Sequence, residues 1–298
     1  MPYQPHALIL VATNMASYRE ALLQLGRVAQ SRGAAPPAVL APWEAAEWAF
    51  DKVDDELRAE ALAATAGLPV DIAILPATGR RKKLLVADMD STIITVECLD
   101  ELADFAGIKD KISAITERAM RGELDFEAAL TARVAMLKGL GLDALARAYD
   151  ERVKLTPGAR VLVRTMAAHG ARCVLVSGGF TYFTARVAKA AGFAADRANT
   201  LIDDGRVLTG AVGQPILGRQ AKLQALKEEA AALGAAPGDA LAIGDGANDL
   251  DMIRAAGLGL AFRAKPIVAA EADAEINHAN LRAALFFQGY RAAEFVED

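Results

Sequence analysis

The sequence predicts an α/β protein in two parts. The larger is a parallel sheet with helices on both faces and a small helical cap insertion; a small α+β unit precedes it. Three observations carry this. From Lys82 onward, short and nearly continuous apolar runs alternate with helical stretches, as expected of strands buried on both faces and joined by helices. Directly after the first of those runs, residues 96–155 have helical patterning and no strand. The first eighty residues follow a rhythm of their own, β-α-β-β-α-β, which is a ferredoxin-like order.

Taken in order, His6–Ala12 is a short apolar strand, and Ser17–Ser31 places Leu22, Leu23, Leu25 and Val28 at helical spacing. Pro36 and Pro37 break the chain before Ala38–Ala41. Ala45–Phe50 is read as a second extended piece, although its composition fits a helix equally well. Asp54–Thr65 is helical, Gly67-Leu68-Pro69 stops it, Val70–Leu75 is a strand and Pro76–Arg81 a linker. The expected domains are therefore 1–80, ferredoxin-like, and 81–298. In the second, Leu84–Ala87, Cys173–Val176, Leu241–Ile243 and Gly257–Ala261 are strands, separated by helices over Gly158–His169, Thr181–Ala191, Gln220–Leu233 and Asp249–Ala256. This is a Rossmann-like sheet, which puts sites at the carboxyl ends of its strands. The strandless segment at about 96–155 reads as a helical cap over that edge, and Thr200–Leu208, centred on Asp203-Asp204-Gly205, as a hairpin turn.

The 298 residues are 53% hydrophobic and 24% charged, a globular composition that excludes disorder. No apolar run approaches the ~18–20 residues of a membrane span, and the first residues lack the pattern of a secretory signal. Only Cys98 and Cys173 occur, without CxxC spacing, so neither a disulfide framework nor a zinc site is indicated and a reduced, cytoplasmic setting is expected. A net charge of −5 argues against a nucleic-acid partner. The one basic cluster, Arg80-Arg81-Lys82-Lys83, reads as a solvated linker.

Chemistry concentrates at three strand ends. Asp88-Met89-Asp90-Ser91-Thr92 follows Leu84–Ala87; two carboxylates two residues apart reach the open sheet edge together and repel unless a cation lies between them. Alone, this fits a turn with two solvated aspartates as well. An EF-hand loop fails, because its sixth and twelfth positions would be Ile93 and Leu99. Gly244-Asp245-Gly246-Ala247-Asn248-Asp249 offers a third carboxylate, but position six of a GxGxxG fingerprint would be Asp249. Ser177-Gly178-Gly179 puts a hydroxyl and exposed amides at a helix N-terminus, suited to an oxyanion; Leu175 rules out the GxSxG elbow. Lys222 and Arg133 are isolated helical cations and Glu97 an ordinary early-helix acid. His6, His169 and His278 have no metal-ligand spacing.

The joint order of these motifs resembles the haloacid dehalogenase superfamily of aspartate-nucleophile phosphatases and, in detail, its phosphoserine phosphatase family. The matching features are Asp88–Thr92 with Glu97 nine residues after Asp88, the run Ala119–Phe126, Arg133-Val134, Val176–Phe180, Lys222 and Gly244–Asp249. The similarity spans residues 82–298, while residues 1–80 resemble ACT-like regulatory modules. The resemblance implies Asp88 as nucleophile, Asp90 as general acid and base, and Mg²⁺ held by Asp88, Asp245 and the backbone carbonyl of Asp90. It implies Ser177, Gly178 and Lys222 around the phosphoryl oxygens, Glu97 on the substrate ammonium and Arg133 on its carboxylate. Asn248 would position the phosphoryl group, Asp249 the lysine, and Met120 with Phe126 an apolar wall. The implied reaction is hydrolysis of O-phosphoserine to serine and phosphate, the last step of serine biosynthesis. The expected partner is that small phosphomonoester, with no nucleic acid and no membrane, and the expected assembly a homodimer. A phosphatase or phosphotransferase acting on another small phosphomonoester fits part of the pattern. A non-catalytic amino-acid sensor fits less, against the intact set Asp88, Asp90, Lys222 and Asp245.

Overall fold

The computed structural model describes residues 5–120 and 125–297. In β1 (His6–Ala12) successive side chains point to opposite faces, and both faces are buried. Leu8 and Leu10 pack with Tyr18, Ala21 and Leu25 of α1 (Met15–Ser31), whose first turn is capped by Asn14 accepting the Ser17 N–H at 2.9 Å. After β2 (Ala38–Ala41) comes β3 (Ala45–Phe50), so the segment with two equally good readings is a strand. It pairs antiparallel with β1, which buries Trp48 on the helical face. Next come α2 (Asp55–Thr65), capped by Asp54, and β4 (Val70–Pro76). The sheet order β2-β3-β1-β4, with β3 and β4 antiparallel to β1, is the ferredoxin-like arrangement.

The second part begins with β5 (Leu84–Ala87), one of the two middle strands of a six-stranded parallel sheet. The insertion that follows carries α3 (Cys98–Phe105), α4 (Lys109–Met120), α5 (Phe126–Ala135) and α6 (Leu142–Arg152). Its two ends meet at an antiparallel bridge between Ile94 and Leu155, so the cap stands on a two-chain stem. The chain then runs through α7 (Ala159–Ala168), β6 (Arg172–Phe180), α8 (Thr181–Ala191) and β7 (Ala195–Asn199). The hairpin β8 (Leu201–Asp203) and β9 (Leu208–Val212) follows; Asp204 accepts the N–H groups of Arg206 and Val207 in its turn. The hairpin bridges to the cap through Gly141 and Val207. Then α9 (Arg219–Ala232), β10 (Ala240–Gly244), α10 (Leu250–Ala255), β11 (Leu258–Phe262), α11 (Pro266–Ala269), β12 (Ala274–Ile276) and α12 (Ala283–Phe287) complete the sheet and its cover.

The order β12-β11-β10-β5-β6-β7 sends the chain to one side of β5 and then to the other. The crevice at its carboxyl end is therefore the switch point where ligands of such sheets sit. Both faces of these strands are covered. Leu84 and Val86 pack with Leu226 and Ile253, whereas Leu85 and Ala87 join a larger cluster on the opposite face.

That larger cluster does not stop at the linker. Ile9 and Val11 share it with Leu285, Phe286 and Phe287, so the second face of the small sheet is buried against the C-terminal segment. Asp71 of β4, 4% exposed, accepts the N–H groups of Asn277 (2.9 Å), His278 (3.1 Å) and Ala279 (2.8 Å) at the same junction. The basic cluster belongs to it too and is not simply solvated: Arg80 pairs with Glu47 at 2.9 Å, Arg81 with Glu294 at 2.8 Å, and Lys82 donates to the Gly238 carbonyl. No helix among the described residues is long and apolar enough to cross a membrane.

Candidate active site

Asp88 ends β5, its N–H still donating to the Ile243 carbonyl of β10 at 3.0 Å. The chain then turns sharply. Ser91 adopts a left-handed backbone (φ 56°) and Ile94 N–H returns to the Met89 carbonyl, which keeps Asp88 and Asp90 at the sheet edge together. Asp90 is held at both oxygens: Oδ1 accepts the Cys98 N–H at 2.9 Å and Oδ2 the Ser177 hydroxyl at 3.1 Å. Ser177 Oγ in turn accepts the Gly179 N–H at 2.8 Å. A Cβ at Gly179 would lie 2.9 Å from Asp90 Oδ2, so this approach requires glycine.

Lys222, an isolated helical cation by position alone and a phosphoryl-binding residue by resemblance, is 2% exposed. Its Nζ lies 2.5 Å from Asp88 Oδ1 and 2.6 Å from Asp249 Oδ1. Asp249 also accepts the Gly246 N–H at 3.0 Å, which fixes the glycine-rich turn after β10. Thr92 donates to Asp245 Oδ1 at 3.4 Å. Carboxylate oxygens of Asp88, Asp245 and Asp249 all lie within 4.8 Å of one another. Three carboxylates against one lysine leave excess negative charge in a poorly solvated place. A donor set of hard oxygens this close fits a hard divalent cation.

The electrostatics agree. Burial, then the charge of Asp249, push the Asp88 carboxyl well above the usual carboxylate range, with Lys222 opposing. Burial, then Glu97, raise Asp90 to about 6. Burial, then Asp249 and Glu97, raise Asp245 to about 6. For Lys222, burial favours the neutral amine, but the charges of Asp249 and Asp88 outweigh it and hold the ammonium firmly protonated.

Above these groups is a cavity of about 370 Å³ lined by Asp88, Asp90 and Asp245, whereas Lys222 and Asp249 lie beneath it, with Lys222 reaching Asp88 from the buried side. Ser177, Gly178 and Asn248 face it from the sheet edge, and Glu97 and Arg133 from the cap. Burial lowers the Arg133 pKa against the opposing pull of Asp100 and Glu97. Phe126 reaches from the cap to the sheet: its ring lies where a Cβ on either Gly178 or Gly218 would contact it at 3.1 Å. The Met120 side chain, expected beside it, lies outside the described residues.

Three further residues escape the sequence reading. Lys265 and Asp100 line the cavity. Asn199, 2% exposed at the end of β7, donates to the Gly178 carbonyl at 2.8 Å and the Leu217 carbonyl at 3.2 Å, and accepts the Leu217 N–H at 2.7 Å. It thereby ties the Ser177 loop to the segment that leads into α9. The rule that sites gather at the carboxyl ends of parallel strands is the signal that could have found Lys265 and Asn199.

Known proteins resemble this chain in sequence and in fold. A phosphoserine phosphatase of Streptomyces coelicolor is 45% identical over 257 residues, 85% of this chain, and the chain spans 62% of that protein's length. A phosphoserine phosphatase of Albidiferax ferrireducens is 47% identical over 204 residues, covering 67% of this chain and 86% of its own. Among solved structures, the unliganded probable phosphoserine phosphatase of Vibrio cholerae superposes with a TM-score of 0.77 at 30% identity, over 95% of this chain and 86% of that one. The pattern of the haloacid dehalogenase-like hydrolases matches residues 85–254, from β5 through α10, the stretch that contains every carboxylate around the cavity. The chain belongs to the haloacid dehalogenase-like hydrolase family.

Proposed function

We propose that the protein hydrolyses O-phosphoserine to serine and phosphate with the help of Mg²⁺. The observation that carries this reading is the placing of Glu97 and Arg133, one acid and one base, over the same cavity as the Asp88–Asp90 pair. The carboxylate pair suits phosphoryl transfer, and the two cap charges suit an α-ammonium and an α-carboxylate.

Asp88 attacks phosphorus in line; its oxygen forms the new O–P bond as the bond to the serine oxygen breaks. Asp90, whose pKa burial and the Glu97 charge raise to about 6 and so towards neutrality, gives its proton to the departing serine oxygen. It then takes a proton from the water that releases phosphate from Asp88. Ser177, the Gly178 amide and Lys222 hold the phosphoryl oxygens, with Asn248 beside them. Asp88, Asp245 and the Asp90 carbonyl would hold Mg²⁺, with Asp249 the third carboxylate of the cluster. When bound, the ion offsets the repulsion between the Asp88 carboxylate and a dianionic phosphate.

The unpaired, buried thiols of Cys98 and Cys173 support a cytoplasmic setting. The strand order of residues 6–76 supports an ACT-like character for the N-terminal unit.

A phosphate-release assay over a panel of phosphomonoesters tests the function. Phosphoserine should be the best substrate with Mg²⁺ present, and chelator should silence the reaction. Full turnover in excess chelator, or a preference for a phosphomonoester without an amino-acid backbone, would overturn it.

A further inference from the structure

We propose that Ser91 is a positioning residue for substrate selectivity: its hydroxyl aims the Glu97 carboxylate at the substrate ammonium. This deepens the reading above and rests on it.

Two independent observations point here. Ser91 Oγ donates to Glu97 Oε1 at 2.6 Å, and among the described residues no other group donates to that carboxylate. Ser91 also holds a left-handed backbone (φ 56°), where glycine sits without steric cost and other residues are strained. A serine at such a place costs free energy that glycine would not, and the hydroxyl bond to Glu97 is what it returns. The turn is built to make that bond: Ser91 N–H donates to the Val96 carbonyl at 3.3 Å, which folds the chain back so that Glu97 arrives beside Ser91.

The need for aiming follows from the surroundings. Glu97 is exposed, at the N-terminus of α3, and an exposed glutamate otherwise samples many rotamers. Across the cavity stands Arg133, of opposite charge. Without substrate the two would gain by pairing with each other, and substrate would then have to break the pair. Among the described residues no ion pair joins them. Arg133 Nε donates to its own helix at the Ala129 carbonyl (3.2 Å), and Glu97 is held by Ser91. Each is tied on its own side and keeps polar atoms free for a ligand. Glu97 Oε2 remains open to accept from an ammonium, so the site is organised before substrate arrives.

The test compares phosphoserine with its desamino analogue, which has the phosphate and carboxylate but no ammonium. In the wild type, kcat/KM should favour phosphoserine. In Ser91→Ala that preference should fall about tenfold, the effect of losing one hydrogen bond to a charged group, with the change carried by KM. Ser91→Gly, which removes the hydroxyl and relieves the backbone, should do the same. In a Glu97→Gln background, adding Ser91→Ala should cause no further loss of preference. Equal losses on both substrates, or a loss that adds to that of Glu97→Gln, would overturn the positioning role. A wild type indifferent to the ammonium would overturn it together with the substrate assignment, and that outcome is visible before any variant is made.

Discussion

The Ser177 hydroxyl donates to Asp90 Oδ2 across 3.1 Å, joining the ends of neighbouring strands that are 87 positions apart in sequence. A hydrogen bond to a carboxylate favours its charged form, so Ser177 works against the burial and the Glu97 charge that raise Asp90 to about 6. Ser177→Ala should move the Asp90 titration upward and Glu97→Gln should move it downward. Carboxyl-carbon NMR of the metal-free protein reads both. With Ser177 on the phosphoryl oxygens, as proposed, its loss should cut kcat/KM about a hundredfold. Shifts of the same sign in the two variants would contradict the arrangement.

Lys222 is the buried cation paired with Asp88 and Asp249, the two buried members of the three-carboxylate cluster, and its removal leaves them facing each other unpaired. Breaking a buried pair on one side costs about 3–5 kcal/mol. Lys222→Met should lose turnover and, in metal-free buffer, unfold at clearly lower urea than the wild type. Added Mg²⁺ should restore part of the lost stability by supplying positive charge to the same carboxylates. An unchanged urea midpoint without metal would mean that the lysine does not balance them.

How far the sequence revealed this site depends on whether a signal is local. The Asp88–Thr92, Ser177–Gly179 and Gly244–Asp249 motifs each end a strand, so their residues share a sheet edge as soon as the strands are recognised. Lys222 needs more, because helical periodicity cannot tell which face of α9 meets Asp88. Asn199 and Lys265 stand alone in sequence and acquire meaning only through the register of β7 and β11. The junction of the two parts was half legible. Residues 7–12 are apolar without alternation, which marks a strand covered on both faces, but nothing local names Phe286 and Phe287 as the cover. The same holds for Arg80–Lys83, whose partners Glu47, Gly238 and Glu294 come from both ends of the chain.

Arg133 projects from α5 into the cavity with its Nε tied to Ala129, leaving the rest of the guanidinium for a carboxylate. Arg133→Ala should lower kcat/KM for phosphoserine about thirty- to a hundredfold, the worth of a charge-assisted fork. Phosphoethanolamine, which keeps the ammonium and phosphate but has no carboxylate, should lose far less. Arg133→Lys should fall between, since an ammonium restores charge but not two parallel bonds. Equal losses on both substrates would remove the carboxylate-reading role.

Glu229 of α9 ties the far side of the sheet: its largely buried carboxylate accepts from Arg172 of β6 and Arg197 of β7, both at 2.6 Å. Burial alone would raise its pKa, but the hydrogen bonds and charges of the two arginines outweigh that and hold it below the ordinary value. A carboxyl whose folded pKa is depressed binds a proton more readily in the unfolded chain. Its contribution is therefore fully present above the unfolded value, about 4.3 for glutamate, and is lost as pH falls through the lower folded value. Urea unfolding at stepped pH should show the wild type losing stability through this acid window. Glu229→Gln should start less stable at neutral pH and lose less across the same window, because the glutamine has no proton to bind. Parallel stability curves for the two proteins below pH ~4.3 would show that Glu229 does not set this slope.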